Sequence, residues 1–228
     1  MSGPRLVVFD LDGTLIDSQR VILAAMAEAF DAAGHPVPPD AEVLAVVGLS
    51  LPEAMVALAP HLPRAETLGL AERYRERFVA RRAAGGAEAE APLYPGARAA
   101  LDRLASRPDA LLGVATGKAR PGLEHALAVH GLGGLFATTQ TADAHPSKPH
   151  PSMLRAALAE TGVAPHRGVM VGDTAFDVEM GRAAGLAAIG VAWGYHPRAR
   201  LEAAGADLVI EDFGALDAAL AALWGEGA

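Results

Sequence analysis

Six short apolar segments, at Arg5–Phe9, Leu111–Ala115, Leu135–Thr139, Gly168–Val171, Ala188–Val191 and Leu208–Ile210, limit what this chain can fold into. Most of them alternate with Ala/Leu-rich stretches of helical length, such as Gly96–Ser106, Pro121–His130, Ser152–Thr161 and Asp177–Ala184. Short apolar runs bounded by turn residues read as buried strands, and their alternation with helices predicts β-α units. The expected class is α/β: a Rossmann-like, mainly parallel sheet with helices on both faces. Right-handed crossovers bring the loops that follow the strands to one common edge, where ligands gather.

One region breaks the alternation. Between about Asp17 and Pro92 there are helical patterns at Val21–Ala33, Asp40–Val46, Leu51–Ala59 and Ala65–Ala84, and no convincing strand. Gly34-His35-Pro36, Val47-Gly48 and Pro60–Pro63 read as the breaks between them. Gly85–Pro92 reads as a surface return linker. Residues 17–92 are therefore expected to form a small all-helical domain inserted into a core made of 1–16 and 93–228. Its place directly after the first strand would set it above the common loop edge.

Composition removes several classes of function. There is no cysteine among the 228 residues, which excludes disulfides, zinc-thiolate sites and cysteine nucleophiles. A net charge of -8 argues against a nucleic-acid surface. No apolar stretch approaches the ~20 residues of a membrane span, and no leader-like run opens the chain. A cytoplasmic protein without nucleic-acid or membrane partners is expected. Arginine is the default cation, so the two lysines, Lys118 and Lys148, stand out.

Four places should fall just past a strand: Asp10–Thr14, Thr116-Gly117-Lys118, Lys148-Pro149 and Gly172–Asp177. Asp is rarely buried without a partner, so Asp10 and Asp12 at the exit of an apolar run require an explanation. A turn capped by side-chain hydrogen bonds is one. Neighbouring parallel strands lie ~4.8 Å apart, so Asp10, Asp12 and Asp173 can approach closely, and their repulsion calls for a cation. Oxygen ligands completed by water and phosphate suit Mg2+. A phosphate ester would in turn find a cation, the Lys148 ammonium, the Thr116 hydroxyl and the backbone N–H groups of the Asp10–Gly13 turn, Leu11 among them. Lys118 either adds to this field or is a surface lysine opening a helix. The histidines form no ligand pair, and His145 and His150 are expected to face solvent.

The segment Asp10-Leu11-Asp12-Gly13-Thr14-Leu15-Ile16-Asp17-Ser18, with Thr116, Lys148-Pro149 and Gly172-Asp173 followed by Asp177, resembles the haloacid dehalogenase superfamily. Within it, the chain is most similar to the phosphoglycolate phosphatase-like subgroup with a helical cap. The resemblance implies that Asp10 attacks phosphorus and forms an aspartyl-phosphate. Asp12 would protonate the departing alkoxide and then activate water. It further implies Mg2+ bound by Asp10, Asp173 and the Asp12 backbone carbonyl, with Asp177 supporting that site from behind. Asp177 also suits a helix N-terminus. Thr116 and Gly117 would grip a phosphoryl oxygen, although Gly117 stands where an Asn is common in the subgroup. Lys148 would stabilise charge on Asp10 and on the transferring group.

The same resemblance argues against dehalogenation, because dehalogenases of this fold lack the acid that stands here as Asp12. The implied activity is hydrolysis of a small-molecule phosphate ester, with phosphoglycolate foremost, by a monomer or homodimer. The alternatives are a sugar-phosphate mutase and a non-catalytic binding protein that kept the fold. Gly48-Leu49-Ser50-Leu51 lacks the Arg that follows Ser in the mutase-like pattern. Arg20, at the start of the first cap helix, is the favoured cap residue for contacting a carboxylate or second phosphate.

Overall fold

A computed structural model describes residues 3–85 and 91–225 of the chain. Strands β1 (Arg5–Phe9), β2 (Ala110–Thr116), β3 (Thr138–Thr141), β4 (Gly168–Gly172), β5 (Ala187–Val191) and β6 (Leu208–Ile210) make one sheet in the order β3-β2-β1-β4-β5-β6. Every pairing is parallel. β1 is buried on both faces: Leu6 and Val8 join one apolar cluster, while Val7 and Phe9 join the other. That is why it reads as a continuous apolar run rather than an alternating one. The path runs outward from β1 through β2 to β3, then returns to β4 on the other side of β1. Strand order thus reverses between β1 and β4, the position where open α/β sheets leave a crevice at their C-terminal ends.

The sheet is flanked by α5 (Ala97–Ala105), α6 (Arg120–Val129), α7 (Ser152–Thr161), α8 (Ala175–Ala184), α9 (Arg198–Ala203) and α10 (Leu216–Leu223). Between β1 and β2 come α1 (Gln19–Ala32), α2 (Asp40–Ala45), α3 (Leu51–Leu58) and α4 (Arg64–Gly85), close to the four helical patterns expected. They bury a cluster of their own, including Ile22, Met26, Phe30, Val43, Met55 and Leu70. The outgoing and returning chains cross side by side. Ile16 bridges Leu93, Asp17 N–H donates to the Pro92 carbonyl at 2.8 Å, and Tyr94 N–H donates to the Leu15 carbonyl at 2.9 Å. The expected return linker falls largely on residues 86–90, outside the described residues.

One strand differs from expectation. The third lies at Thr138–Thr141, shifted along the chain from the apolar Leu135–Thr139. It is one of the sheet's two edge strands and carries polar residues inward. Gln140 donates to Thr138 Oγ1 at 2.7 Å and to Glu160 at 2.9 Å, and it bonds His145 Nε2 at 2.8 Å. A polar network reaching from buried Thr138 and Gln140 to exposed Glu160 ties this strand down, so hydrophobicity did not mark it. His145 is consequently tied into the protein, also bonding Ser152 at 2.8 Å, whereas His150 is exposed as expected.

Candidate active site

Asp10 follows β1 directly, and its N–H donates to the Val171 carbonyl of β4 at 2.9 Å. Gly13 then turns the chain with φ of +84°, a conformation natural to glycine. A Cβ at Gly13 would lie 2.2 Å from Asp173 Oδ2, so only glycine lets the β1 turn close over the β4 acid. Asp173 is buried, its Oδ1 accepting from Thr14 Oγ1 at 3.0 Å and its Oδ2 from Tyr195 N–H at 2.8 Å. Asp177 sits in the first turn of α8, where it and Thr174 form a reciprocal capping box.

Lys148 reaches this cluster from the loop after β3. Its ammonium, fully buried, donates to Asp10 Oδ1 at 2.7 Å and to Asp177 Oδ1 at 2.6 Å. Asp10, Asp173 and Asp177 each offer an oxygen within 4.8 Å of the others. One ammonium cannot balance three buried carboxylates. Burial raises the Asp10 carboxyl to about 7; Lys148 opposes this, while Asp177 and Asp12 add to it. Asp173 is held well above the ordinary carboxylate range by burial and then by the charges of Asp10 and Asp177. Burial lowers the Lys148 pKa, but the two aspartates outweigh it and hold the value above the ordinary one.

Asp10 Oδ2 is buried and has no hydrogen-bond partner. An orphaned carboxylate oxygen is costly, and this one lies beside further oxygen donors with spare lone pairs. The donor set is all oxygen, which suits a hard cation such as Mg2+ better than zinc or copper.

Strand spacing allows the Asp12 carboxylate to join Asp10 and Asp173, whereas the resemblance gives the metal only its backbone carbonyl. The Asp12 carboxylate lies outside the three-acid cluster, with Oδ1 accepting from Ser18 Oγ at 2.5 Å and Oδ2 paired with Lys118 Nζ at 2.8 Å. The turn directs successive acids to different neighbours, so any contact of Asp12 with a metal held by the cluster falls to its backbone carbonyl. Asp177 offers an oxygen within 4.8 Å of Asp10 and Asp173, while its Oδ1 accepts from Lys148 and its Oδ2 from Thr174, ties that fit the supporting place expected of it. Thr116, buried at the end of β2, accepts the Lys118 N–H at 3.2 Å. Leu11 is buried on the same turn as Asp10.

Gly117 has a steric reason. A Cβ there would lie 2.6 Å from the Leu49 carbonyl oxygen and 2.8 Å from that of Gly48, so the loop between α2 and α3 occupies the space a side chain would need. Arg20 is not brought to the site. It is exposed, beside Asp40 and Arg81 in a separate depression, because α1 turns this residue outward.

Ser18 and Tyr195 carry no role in the sequence reading. Ser18 lies six residues past Asp12, and its hydroxyl also meets the Tyr195 hydroxyl at 3.1 Å. Tyr195 sits in the loop after β5, a fifth loop on the edge where the others gather. That position past a strand was the available signal. Lys118, open between two readings, is half-buried and forms an ion pair with Asp12.

Above Asp12 and Lys118 lies a cavity of about 480 Å³, walled by α1–α4 and by the start of α6. Among the described residues, no helix is long and apolar enough to cross a membrane.

The profile of a family described as haloacid dehalogenase-like hydrolase matches residues 7–191. The chain is 33% identical over 215 residues to "Probable phosphatase IndB" of Dickeya dadantii, an alignment covering 91% of this chain and 90% of that protein. It is 32% identical over 221 residues to a phosphoglycolate phosphatase of Pseudomonas putida, covering 93% of this chain and 78% of that one. A crystal structure of a predicted phosphoglycolate phosphatase from Haemophilus somnus superposes with a TM-score of 0.83 at 21% identity, over 96% of this chain and 99% of the other. At that identity the likeness establishes the fold.

Proposed function

The chain belongs to the haloacid dehalogenase-like hydrolases and is a phosphatase; on that premise we propose that it hydrolyses small phosphomonoesters with Mg2+ through an aspartyl-phosphate on Asp10. The observation that carries this reading is the buried, unpartnered Oδ2 of Asp10, whose other oxygen is fixed by Lys148. A buried carboxylate oxygen with nothing bonded to it keeps its lone pairs for what enters the site, a cation or an incoming phosphorus. Residues 17–92 act as a cap over a core of 1–16 and 93–228.

Asp10 and Asp173, with the Asp12 backbone carbonyl, would hold the ion, and Asp177, tied to Lys148 and Thr174, would support it from behind. When bound, Mg2+ supplies charge neutralisation for the incoming phosphate and for the clustered acids. Asp10 forms a bond to phosphorus as the ester's P–O bond breaks. Asp12, facing away from the cluster toward the cavity, gives its proton to the departing alkoxide and then takes one from the attacking water. Water's oxygen ends on phosphate, Asp10 is regenerated, and the alcohol leaves with the proton. Ser18 and Lys118 orient the Asp12 carboxylate between these two transfers. Lys148 offsets charge on Asp10 and on the phosphoryl oxygens, and the Thr116 hydroxyl with the Leu11 and Gly117 backbone N–H groups grips those oxygens.

Phosphate release from a panel of phosphomonoesters, phosphoglycolate included, tests the proposal. Turnover should require Mg2+ and fall by at least ~10³-fold in Asp10→Asn and Asp12→Asn. A panel with no hydrolysed ester under any divalent ion would overturn it.

A further inference from the structure

The cavity above Asp12 occupies the place where the departing alcohol must sit, and its walls are apolar. Ile22, Met26, Val43, Val47, Leu51 and Phe78 contribute to them. At about 480 Å³ the space is within the range that binds whole organic molecules, far beyond a two-carbon acid. Of the charged side chains that line it, Asp12 and Lys118 pair with each other and Arg75 pairs with Glu72. Tyr74 supplies a hydroxyl, whose pKa is raised by burial and by the Asp12 charge, so it stays protonated. Tyr74 and Phe78 stand with ring centroids 5.6 Å apart, and the Lys118 ammonium lies 4.8 Å over the Phe78 ring.

A carboxylate or second phosphate entering this space would lose its water and, among the described residues, meet no unpaired cation on its walls, which is a heavy cost. An alkyl or aryl group would lose only unfavourable hydration. From this we infer that the preferred substrates are phosphomonoesters of apolar alcohols, with the hydrocarbon part seated between α1, the loop from α2 to α3, and α4. The inference rests on the phosphatase reading above and adds the chemical class of the leaving group. Lys118 marks the boundary of the two subsites. Its ammonium meets the acid that protonates the ester oxygen, while its stem and the Phe78 ring begin the apolar wall.

The test is a series of straight-chain alkyl phosphates, ethyl, butyl and hexyl, beside phosphoglycolate and glycerol phosphate, with Mg2+ and the whole chain. The alkyl esters have similar leaving groups, so reactivity does not confound the comparison. The specificity constant should rise about threefold to fourfold for each added methylene until the cavity is filled. Both polar esters should fall below hexyl phosphate by at least tenfold. Val47→Asn and Leu51→Asn, at half-buried positions, should reduce the hexyl-to-ethyl ratio, a quantity internal to each variant. A flat series, or a preference for phosphoglycolate, would overturn the inference and leave the phosphatase reading standing. Failure to hydrolyse any ester, ethyl phosphate included, would instead overturn the phosphatase reading.

Discussion

Asp10 and Asp12 are separated by one residue, yet their carboxylates have different surroundings. Asp10 is enclosed with Lys148, Asp173 and Asp177, whereas Asp12 is held by Ser18 and Lys118 at the floor of the cavity. The sequence made the types of residue legible, because two acids ending an apolar strand have few structural uses. It did not reveal how closely the acids approach, since Lys148 bridges Asp10 and Asp177 from a loop 29 positions before Asp177. The enclosure has a measurable cost. The Asp10 carboxyl is raised by burial from 3.8 to about 7, so the folded state prefers its proton more than the unfolded chain does. The stability this proton contributes is complete below the unfolded value and is lost as pH rises through the folded one. In chelator, the wild type should lose stability relative to Asp10→Asn between about pH 4 and 7, by up to roughly 1.4 kcal/mol per pH unit. Urea titrations of both proteins across this range check it, and parallel pH curves would refute the burial effect.

At the level of strands and helices, the apolar strands were readable because burial on both faces demands continuous hydrophobicity. β3 lies past its neighbouring apolar run because, besides its ladder to β2, Thr138, Gln140 and Glu160 bond one another at the sheet's edge. The four helices before β2 were also readable, but their contacts with the core were not, since these depend on backbone. His196 is an example: its Nδ1 accepts from Ala175 N–H at 2.9 Å and its Nε2 donates to the Ala45 carbonyl at 3.1 Å, joining α8 to the end of α2. Gly117 is another, with the Gly48 and Leu49 carbonyls packed where its side chain would be. Gly117→Ala should therefore destabilise the protein by roughly 1–3 kcal/mol, as overpacking against backbone does. An unchanged denaturation midpoint would mean that the loop between α2 and α3 yields without cost.

For the molecule as a whole, the sheet brings together residues from opposite ends of the chain, and the inserted helices roof them with an apolar chamber. The order of elements let the four helices between β1 and β2 be anticipated, whereas the chamber's character emerges only when Ile22, Val47 and Phe78 meet across three segments. Arg20, the favoured cap residue on sequence grounds, lies outside it for the same reason: position along a helix does not say which way the helix faces. A folded-state cation site also links metal to global stability. Mg2+ should raise the melting temperature of chelator-treated protein in a concentration-dependent way. Asp173→Asn should lose most of that response, and an equal response in the variant would place the ion elsewhere. The central claim, that Asp10 carries the phosphoryl group between alcohol and water, is tested most directly in Asp12→Asn with p-nitrophenyl phosphate and Mg2+. This leaving group needs little protonation, so the first transfer proceeds while the second lacks its base. Acid quenching and peptide mass mapping should find one added phosphoryl group, HPO3, on the peptide at Asp10; a phosphoryl group on another residue, or continued turnover with the Asp10 peptide unmodified, would contradict the account.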